Sequence, residues 1–421
     1  MAPNQPDTPG ASSETVGHST VEEQPSALVG RRQALRLGAV AAGVAATGAI
    51  APEAHAGHVQ PLPTPDRPPP SHQLITYEEA RLAFRCHGMH LEMLDRPVTP
   101  LGSHYQLIHF DIPTLSREGY KVQVKGRVRK PLTLSLENLK SRRRVTDQAT
   151  LLECAGTGRS YSHPRSIYVP WFNEDIGVFR YTGTPLGPIL KEAGLTDDAV
   201  EVVFTGHDEG YDLGVRHHFE RALPIKEAMA EGVILAWEAN GQPLLPAHGF
   251  PLRLIVPTWY GMASVKWLKS ITVIDHPFQG VQQAQVYRQT FTSGDTGRPI
   301  QKKAVRSSIK PPGTVDLLSR HRFVDRGEVV IHGKAWSGYG PVTRVQVSTD
   351  GFRTFRDAVL EDPVSDFSWR PFHFVWNATP GEHVIGSRAT DVKGHKQPLR
   401  PFFNIQGMAQ NAVEPVAVRV T

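Results

Sequence analysis

Short stretches of alternating or uniformly apolar residues recur between residues 120 and 275, and such stretches are typical of buried or half-buried strands. They are Lys121–Val128, Val200–Phe204, Val233–Trp237, Leu252–Val256 and Lys266–Ile274. Leu134–Lys140, capped by Ser135, favours a short helix, and so does Thr184–Ala193, which ends at Gly194. The sequence contains no repeated strand–helix–strand pattern and no phosphate-loop or dinucleotide-binding fingerprint. We therefore predict an α+β domain over residues 74–290.

A second series of alternating segments follows a change of composition near residue 290. Residues 291–313 contain many Gly, Lys and Pro residues and are expected to form a linker. The later strand candidates are Val329–Trp336, Val342–Ser348, Phe372–Trp376 and Val384–Thr390. Turn signals such as Asp350-Gly351 separate them, and regularly spaced short strands of this kind indicate a β-sandwich. We predict an Ig-like sandwich over residues 314–415, with its tryptophans in the core.

The first 56 residues have the order of parts of an export signal. A stretch rich in Pro, Ser, Thr and Glu precedes Arg31 and Arg32, and a weakly apolar run of Ala, Gly and Val follows. Ala54–Ala56 closes this run with the small-x-small pattern of a cleavage site. The segment resembles a twin-arginine (Tat) signal, whereas the run is too short and interrupted to span a membrane. We expect export to the periplasm or another extracytoplasmic space, followed by a Pro-rich linker over residues 57–73. The alternative is a basic patch before an Ala-rich helix.

Composition narrows the classes of partner. The chain has 421 residues and a net charge of +5, and its 46 Lys and Arg residues are spread along it. This spread disfavours nucleic acid and fits a small anionic substrate. The two cysteines cannot make a disulfide framework, although a single Cys86–Cys154 disulfide is compatible with an exported protein.

The stretch with the most specific chemistry is Leu151–Ser160. Cys154 ends an apolar run, and Gly156 and Gly158 after it let the backbone approach a bulky group. A thiolate held in this way is a ligand for a soft metal, and Arg159 offers a forked donor for an anion. The alternative interpretation is a buried structural cysteine beside a turn.

Three further segments carry cationic or imidazole groups. Phe84-Arg85-Cys86-His87 follows the linker, His248–Arg253 places an imidazole and a guanidinium at the ends of a Pro-containing turn, and Ser264-Val265-Lys266 adds an ammonium. Such donors suit a phosphate and the edge of a heteroaromatic ring. Taken singly, each of these residues is more often structural.

The motifs C-A-G-T-G-R-S at 154–160, H-G-F-P-L-R-L-I-V-P at 248–257 and V-K-W-L at 265–268 resemble the sulfite oxidase family of molybdenum enzymes. The resemblance extends from about Phe84 through the predicted sandwich. It implies a molybdopterin-binding domain followed by a dimerisation domain, and therefore a molybdenum–molybdopterin cofactor and a homodimer.

The resemblance also implies roles for individual residues. Cys154 matches the thiolate that ligates molybdenum, and Arg85 and Arg159 match the arginines of the anion pocket. Trp171 and Tyr287 are similar to the tryptophan and the tyrosine of the active site. The residues in the motifs that hold the pyranopterin and its phosphate are His87, His248, Arg253, Ser264 and Lys266.

Several positions depart from the family pattern. Thr157 replaces an asparagine, Gly158 replaces a basic residue, and Cys86 replaces the asparagine beside the pocket histidine. A third arginine of the animal enzymes corresponds to the neutral Gln406. One cation at about 4 Å is worth on the order of 4 kcal/mol at an effective dielectric of 20, before desolvation. This loss weakens the case for a doubly charged substrate.

The function implied by the resemblance is oxidation of sulfite to sulfate. The sequence has no C-x-x-C-H haem-attachment motif, so the electrons are expected to pass to an external acceptor such as a c-type cytochrome. Alternatives are an exported molybdenum reductase of S-oxides such as oxidised methionine, a dehydrogenase of another sulfur compound, and a cofactor-free binding or assembly module. A zinc protein built on His207, His217 and His218 is disfavoured, because no H-x-x-x-H spacing occurs.

Overall fold

The structure, a computed structural model, describes residues 76–421. The predicted export signal over residues 1–56 and the predicted linker over residues 57–73 lie outside the described residues. Within 76–421, no helix has both the length and the apolar character needed to cross a membrane. The α-helices of this range are α1 (Tyr77–Ala83), α2 (Leu136–Lys140), α3 (Leu186–Ala193) and α4 (Ile225–Ala228).

Short sequence signals explain where these helices begin and end. The side chain of Thr76 caps α1 by accepting from the backbone N–H of Glu79, and the Glu79 carboxylate accepts from the backbone N–H of Thr76. Ser135 caps α2 in the predicted way. Helix α3 buries Leu186, Ile189, Leu190 and Ala193 on one face. It ends at Gly194, whose φ of 68° lies in the left-handed region that favours glycine.

The first part of the described chain is built from twelve strands. They are β1 (Lys121–Gly126), β2 (Leu132–Ser135), β3 (Val145–Glu153), β4 (Ile176–Pro185), β5 (Glu201–Asp212), β6 (Val215–Pro224), β7 (Ile234–Ala239), β8 (Gln242–Pro243), β9 (Arg253–Ile255), β10 (Leu268–Ile274), β11 (Arg288–Gln289) and β12 (Arg298–Pro299). Each strand candidate of the sequence overlaps one of them, which confirms the predicted α+β class.

Two five-stranded sheets form the scaffold of this part. One has the order β2-β1-β10-β5-β6, in which only β1 and β10 are parallel neighbours. The other has the order β3-β4-β7-β8, with β9 also paired to β7. A large apolar core that includes Val122, Phe204, Leu235 and Leu254 contains residues of both sheets. The sheets therefore fix the loops that leave β3 and enter β9, where the cysteine and arginine motifs lie.

The remaining ten strands form the predicted β-sandwich. They are β13 (Arg306–Ile309), β14 (Thr314–Val315), β15 (Arg322–Val324), β16 (Gly327–Trp336), β17 (Val342–Ser348), β18 (Arg356–Asp357), β19 (Val359–Leu360), β20 (Arg370–Ala378), β21 (Gly381–Asp391) and β22 (Val416–Val420). One sheet has the order β13-β16-β20-β19, and the other has the order β14-β15-β22-β21-β17-β18. Apolar residues of both sheets, such as Ile331 and Val345, make up its core.

The sandwich extends beyond the predicted bounds at both ends. Strand β13 lies inside the predicted linker 291–313, and β22 pairs with β15 and β21 beyond residue 415. The composition of the linker region hides this, because Lys303 and Arg306 look like surface residues and are both buried. The two side chains can be buried because they form hydrogen bonds with specific groups in the structure, which hydropathy does not report.

A buried ion pair joins the sandwich to the end of β3. Arg306 Nε lies 3.2 Å from Glu153 Oε1, and both side chains are 1% exposed. The same guanidinium donates to Asn173 Oδ1 at 2.5 Å and to the Thr157 carbonyl at 3.2 Å. Trp336 Nε1 donates to Glu153 Oε2 at 2.8 Å. The sandwich therefore holds the turn that carries Cys154.

Replacement of Arg306 by methionine should strongly destabilise the protein. The side chain keeps its volume, but the Glu153 carboxylate is left buried without its ion-pair partner, which typically costs about 3–5 kcal/mol. A urea titration followed by tryptophan fluorescence measures the loss. Lys310→Met is the matched control, because the Lys310–Asp95 pair is solvent-exposed at 3.1 Å and should contribute under about 1 kcal/mol. Equal losses in the two variants would contradict the joining role of Arg306.

Candidate active site

Cys154 stands directly after β3, and its thiol is buried with 9% exposure. The backbone N–H of Gly156 donates to its Sγ at 3.4 Å, and its own backbone N–H donates to the Asp175 carbonyl at 3.0 Å. Burial and the Asp175 carboxyl raise the pKa of the thiol, while Arg159 opposes the shift. The free thiol is therefore protonated at neutral pH, and only a bound cation would make the thiolate the stable form.

Arg159 lies over the same turn and is 4% exposed. Its Nε donates to the Gln406 carbonyl at 2.9 Å, and its Nη1 donates to the Val169 carbonyl at 2.7 Å. A Cβ on Gly156 would lie 2.8 Å from both Nη atoms, so only glycine leaves room for the guanidinium there. Within residues 76–421, no carboxylate pairs with Arg159. Its charge is therefore available to an anion.

A second cationic turn is formed around Arg253 at the start of β9. The guanidinium is 4% exposed and donates to the carbonyls of His248 and Ser264, each at 3.0 Å. Ser264 Oγ accepts from the backbone N–H of Val256 at 2.9 Å, which ties the two turns together. Gly249 adopts a φ of 102°, where its missing Cβ allows the close approach of Arg253 and Lys266. Hydrogen bonds therefore join three of the predicted residues, His248, Arg253 and Ser264.

Lys266 completes the cationic wall. Its Nζ donates to the carbonyls of Leu107 at 2.9 Å and Ala247 at 3.1 Å and lies 4.4 Å from the centre of the Trp267 ring. Burial and the nearby Arg253 lower the pKa of Lys266 to about 7, although Asp208 opposes the shift. Burial also raises the pKa of Asp208 to about 7. The charge of this wall therefore changes near neutral pH.

Cys154, Arg253 and Lys266 line one cavity with about 620 Å³ of empty space, its open mouth included. The predicted residues that line it are Cys154, His248, Arg253, Ser264, Lys266 and Tyr287. Burial lowers the pKa of the buried His248 well below its usual value, so this imidazole is neutral. The arginine and lysine cations of the wall have backbone carbonyls as hydrogen-bond acceptors. The cavity consequently carries net positive charge and favours an anionic occupant.

Four predicted site residues do not line this cavity, namely Arg159, which lies over the cysteine turn, and Arg85, His87 and Trp171. Arg85 is exposed, where it donates to the Phe110 carbonyl at 2.8 Å and pairs with the Asp111 carboxylate at 3.0 Å. His87 is also exposed and forms a backbone bridge with Gln106. Trp171 packs against Cys154 in a small apolar cluster without lining the cavity. In this structure Asp111 supplies the counter-charge of Arg85 at the surface, and a role of Arg85 in the anion pocket stays a prediction.

Cys86 belongs to the same apolar cluster as Cys154. Both thiols are free, so the disulfide that the sequence allowed is not formed. Burial raises the pKa of the Cys86 thiol. Among the described residues, no group of three or more His, Cys, Asp or Glu side chains could hold a metal ion, which gives the zinc alternative no support.

Sequence reasoning missed several residues of the cavity wall. They are His104, Tyr105, His109 and Asp208, all of which line the cavity, and Arg221, whose guanidinium lies 5.2 Å from the centre of the Tyr287 ring. Burial lowers the pKa of both His104 and His109 to about 3. The sequence signal for these residues is the segment H-Y-Q-L-I-H at 104–109, which contains two histidines and a tyrosine within six positions. It matches none of the quoted motifs, and only the tertiary structure brings it to the cavity.

The donor set fits a molybdenum–molybdopterin cofactor. Cys154 offers one soft sulfur ligand, and Arg253 and Lys266 offer fixed donors for a phosphate. The side-chain oxygen Oδ1 of Asp208 is buried without a hydrogen-bond partner and could accept from an N–H group of a heteroaromatic ring. The cavity therefore combines the three kinds of contact that such a cofactor requires.

Comparisons with known proteins agree with this donor set. Residues 109–282 match the oxidoreductase molybdopterin binding domain, and residues 298–421 match the Mo-co oxidoreductase dimerisation domain. Chicken sulfite oxidase is 30% identical over 76% of this chain and 72% of its own length. Mouse mitochondrial sulfite oxidase is 32% identical over 77% of this chain, which spans 62% of that protein's length.

Two further relatives show how broad the similarity is. Soybean inducible nitrate reductase is 29% identical over 75% of this chain and 38% of its own length. The sulfane dehydrogenase SoxCD of Paracoccus pantotrophus has a solved structure that superposes with a TM-score of 0.69 and covers 86% of this chain and 97% of that one. At 24% sequence identity, the superposition supports the fold alone.

Sulfate binding to full-length protein prepared without molybdenum should weaken as the pH rises through 7. Lys266 loses its positive charge above its pKa of about 7, and Asp208 becomes negative above its pKa of about 7. Both changes make the cavity less positive, and one charge at about 4 Å is worth on the order of 4 kcal/mol before desolvation. Calorimetry should find binding about tenfold weaker at pH 8.5 than at pH 6.

Lys266→Met should weaken sulfate binding at pH 6 and reduce its pH dependence. The matched control is Lys269→Met, because Lys269 is an exposed neighbour on β10 whose Nζ contacts His218 at 2.9 Å. An equal effect of the two substitutions would contradict the role of Lys266, and tighter sulfate binding at high pH would contradict the predicted direction of the pH dependence.

Proposed function

Because the chain belongs to the sulfite oxidase family, we propose that it is a molybdenum-dependent oxidoreductase that converts sulfite to sulfate. One observation carries the proposal: the Cys154 thiol shares a cavity with the buried cations Arg253 and Lys266, and the Arg159 guanidinium lies against the same turn. A thiol alone would fit a structural cysteine. A thiol beside cations that lack carboxylate partners within residues 76–421 fits a metal cofactor with a phosphate and an anionic substrate.

Each residue has a distinct task in this proposal. Cys154 binds the metal, and Arg253 and Lys266 hold the phosphate end of the cofactor. When bound, the cofactor supplies the two-electron redox chemistry. Arg159 attracts and orients the substrate anion from its place over the cysteine turn, and Tyr287 donates a hydrogen bond in the same cavity. The protein thus contributes position and charge.

The balanced reaction fixes what else must be present. Sulfite and one water give sulfate, two protons and two electrons, so an electron acceptor has to be present. We propose a c-type cytochrome as this acceptor, which takes up the two electrons in two successive one-electron transfers. The dimerisation-domain match supports a homodimer. Export by the Tat route to an extracytoplasmic space is part of the same proposal and rests on the sequence of residues 1–56.

The small number of unpaired arginines at the site also supports a second substrate class, namely a sulfur compound less charged than sulfite. The side chain of Gln406 accepts from Thr290 Oγ1 at 2.7 Å and brings no charge, while its carbonyl accepts from Arg159. Arg85 is paired with Asp111 at the surface. Arg159 is then the one predicted pocket arginine whose charge is not paired within the described residues. The S-oxide reductase alternative is separated from these two by the substrate assays below.

Sulfite should reduce cytochrome c in the presence of the purified protein, and molybdenum should be found at about one atom per chain. Cys154→Ser should abolish turnover but leave the fold intact, because serine keeps the volume and removes the soft ligand. Metal analysis, circular dichroism and the cytochrome assay measure the three properties. Active preparations without molybdenum, or an active serine variant, would end the proposal. Thiosulfate in the cytochrome assay, and methionine sulfoxide in an assay that supplies a reduced electron donor, separate the substrate classes.

Arg159→Gln should lower kcat/KM for sulfite about 10- to 100-fold, since a charge-assisted hydrogen bond in a buried site contributes about 1.5–3 kcal/mol. Arg85→Gln is the matched variant, and its exposed pairing with Asp111 predicts a change of less than about threefold. Steady-state kinetics of both variants provide the test. A loss in Arg85→Gln as large as that in Arg159→Gln would show that Arg85 reaches the substrate during turnover.

A further inference from the structure

Tyr287 forms a hydrogen-bonded pair with a histidine that no motif identified. His109 Nε2 lies 2.6 Å from the Tyr287 hydroxyl oxygen. The His109 ring stacks on Phe219 with a centroid distance of 4.4 Å and an interplanar angle of 28°. All three residues line the cavity that contains Cys154. The stacking contact with Phe219 fixes the plane of the His109 imidazole, and the hydrogen bond to Tyr287 lies at its Nε2 atom.

The segment that carries His109 is tied to the cationic wall. Lys266 Nζ donates to the Leu107 carbonyl, two residues before His109. The Tyr287 ring lies under the Arg221 guanidinium, and Arg221 Nη1 donates to the Gln282 carbonyl at 2.6 Å. The contact between His109 and Tyr287 therefore joins two segments that are each anchored independently.

We propose that His109 is a positioning residue that donates its Nε2 proton to the Tyr287 oxygen and so turns the phenolic O–H toward the cavity. The inference rests on the proposed function, in which Tyr287 donates to an anion. The new element is that His109 sets the direction in which the Tyr287 hydroxyl donates. It also assigns the His109 tautomer, with the proton on Nε2.

A negatively charged occupant of the cavity favours this tautomer. Burial, Lys266 and Arg221 lower the pKa of His109 to about 3, so the imidazole is neutral and has one donor nitrogen and one acceptor nitrogen. If Nε2 accepted, the tyrosine proton would point at the histidine and the oxygen lone pairs would face the anion. If Nε2 donates, the tyrosine proton remains free for the anion. The second arrangement suits a cavity whose occupant is negative.

Nitrogen-15 NMR of the histidine-labelled full-length chain tests the tautomer without any turnover. The His109 signals are identified by their absence in His109→Gln. They should report a neutral ring protonated at Nε2 between pH 5.5 and 8, and Tyr287→Phe should shift them. Protonation at Nδ1, an imidazolium in this range, or signals unaffected by Tyr287→Phe would overturn the proposal. Because this readout is independent of activity, failure of the proposed function leaves it interpretable.

Kinetics with sulfite test the positioning role. His109→Phe should lower kcat about tenfold or more with little change in KM, because a donor is misplaced in the transition state. His109→Gln should recover kcat to within about threefold of wild type, since its amide N–H can occupy the Nε2 position. In a Tyr287→Phe background, His109→Phe should have no further effect. Additive losses, or a glutamine variant as poor as phenylalanine, would overturn the proposal. His276→Phe, on the surface, is the matched control.

Discussion

The buried positive charge in the cavity and over the adjoining cysteine turn is the constraint on which the rest of the structure depends. Arg159 and Arg253 are nearly fully buried, Lys266 is largely shielded, and none of the three forms an ion pair with a carboxylate in the part of the chain that the structure describes. They are held by carbonyls of Gln406, Val169, His248, Ser264, Leu107 and Ala247. Carbonyl dipoles satisfy these donors without cancelling their charge, and Asp208 is the cavity carboxyl that acts on Lys266. The buried cations therefore favour an anionic ligand.

The sandwich completes this site from behind. The Gln406 carbonyl accepts from Arg159, and the backbone N–H of Ala409 donates to the Ala155 carbonyl at 2.7 Å. Arg306 of β13 binds Glu153 and the Thr157 carbonyl on either side of Cys154. The cysteine turn is thus held between the sheet that contains β3 and the sandwich. This explains physically why a turn so rich in glycine can keep a thiol and a guanidinium in fixed positions.

Much of the fold could be predicted from the sequence, because alternation reports which strand faces are buried. Strands such as Val342–Ser348 were located to the residue. The edges of the sandwich were missed, since the charged residues of β13 and the residues before it are buried by specific partners that hydropathy cannot reveal. In the site, the residues of the quoted motifs were found where local turns carry them. His109 was missed because its partner is 178 residues away, and the pairing of Arg85 with Asp111 could not be read from the motif that contains Arg85.

In the proposed function the metal lies at Cys154, within a cavity whose cations retain the anionic cofactor. X-ray absorption at the molybdenum edge, measured on the purified protein and on Cys154→Ser, is the decisive measurement. The variant should keep most of its molybdenum and lose one sulfur from the metal coordination. An identical coordination shell in the two proteins would contradict it.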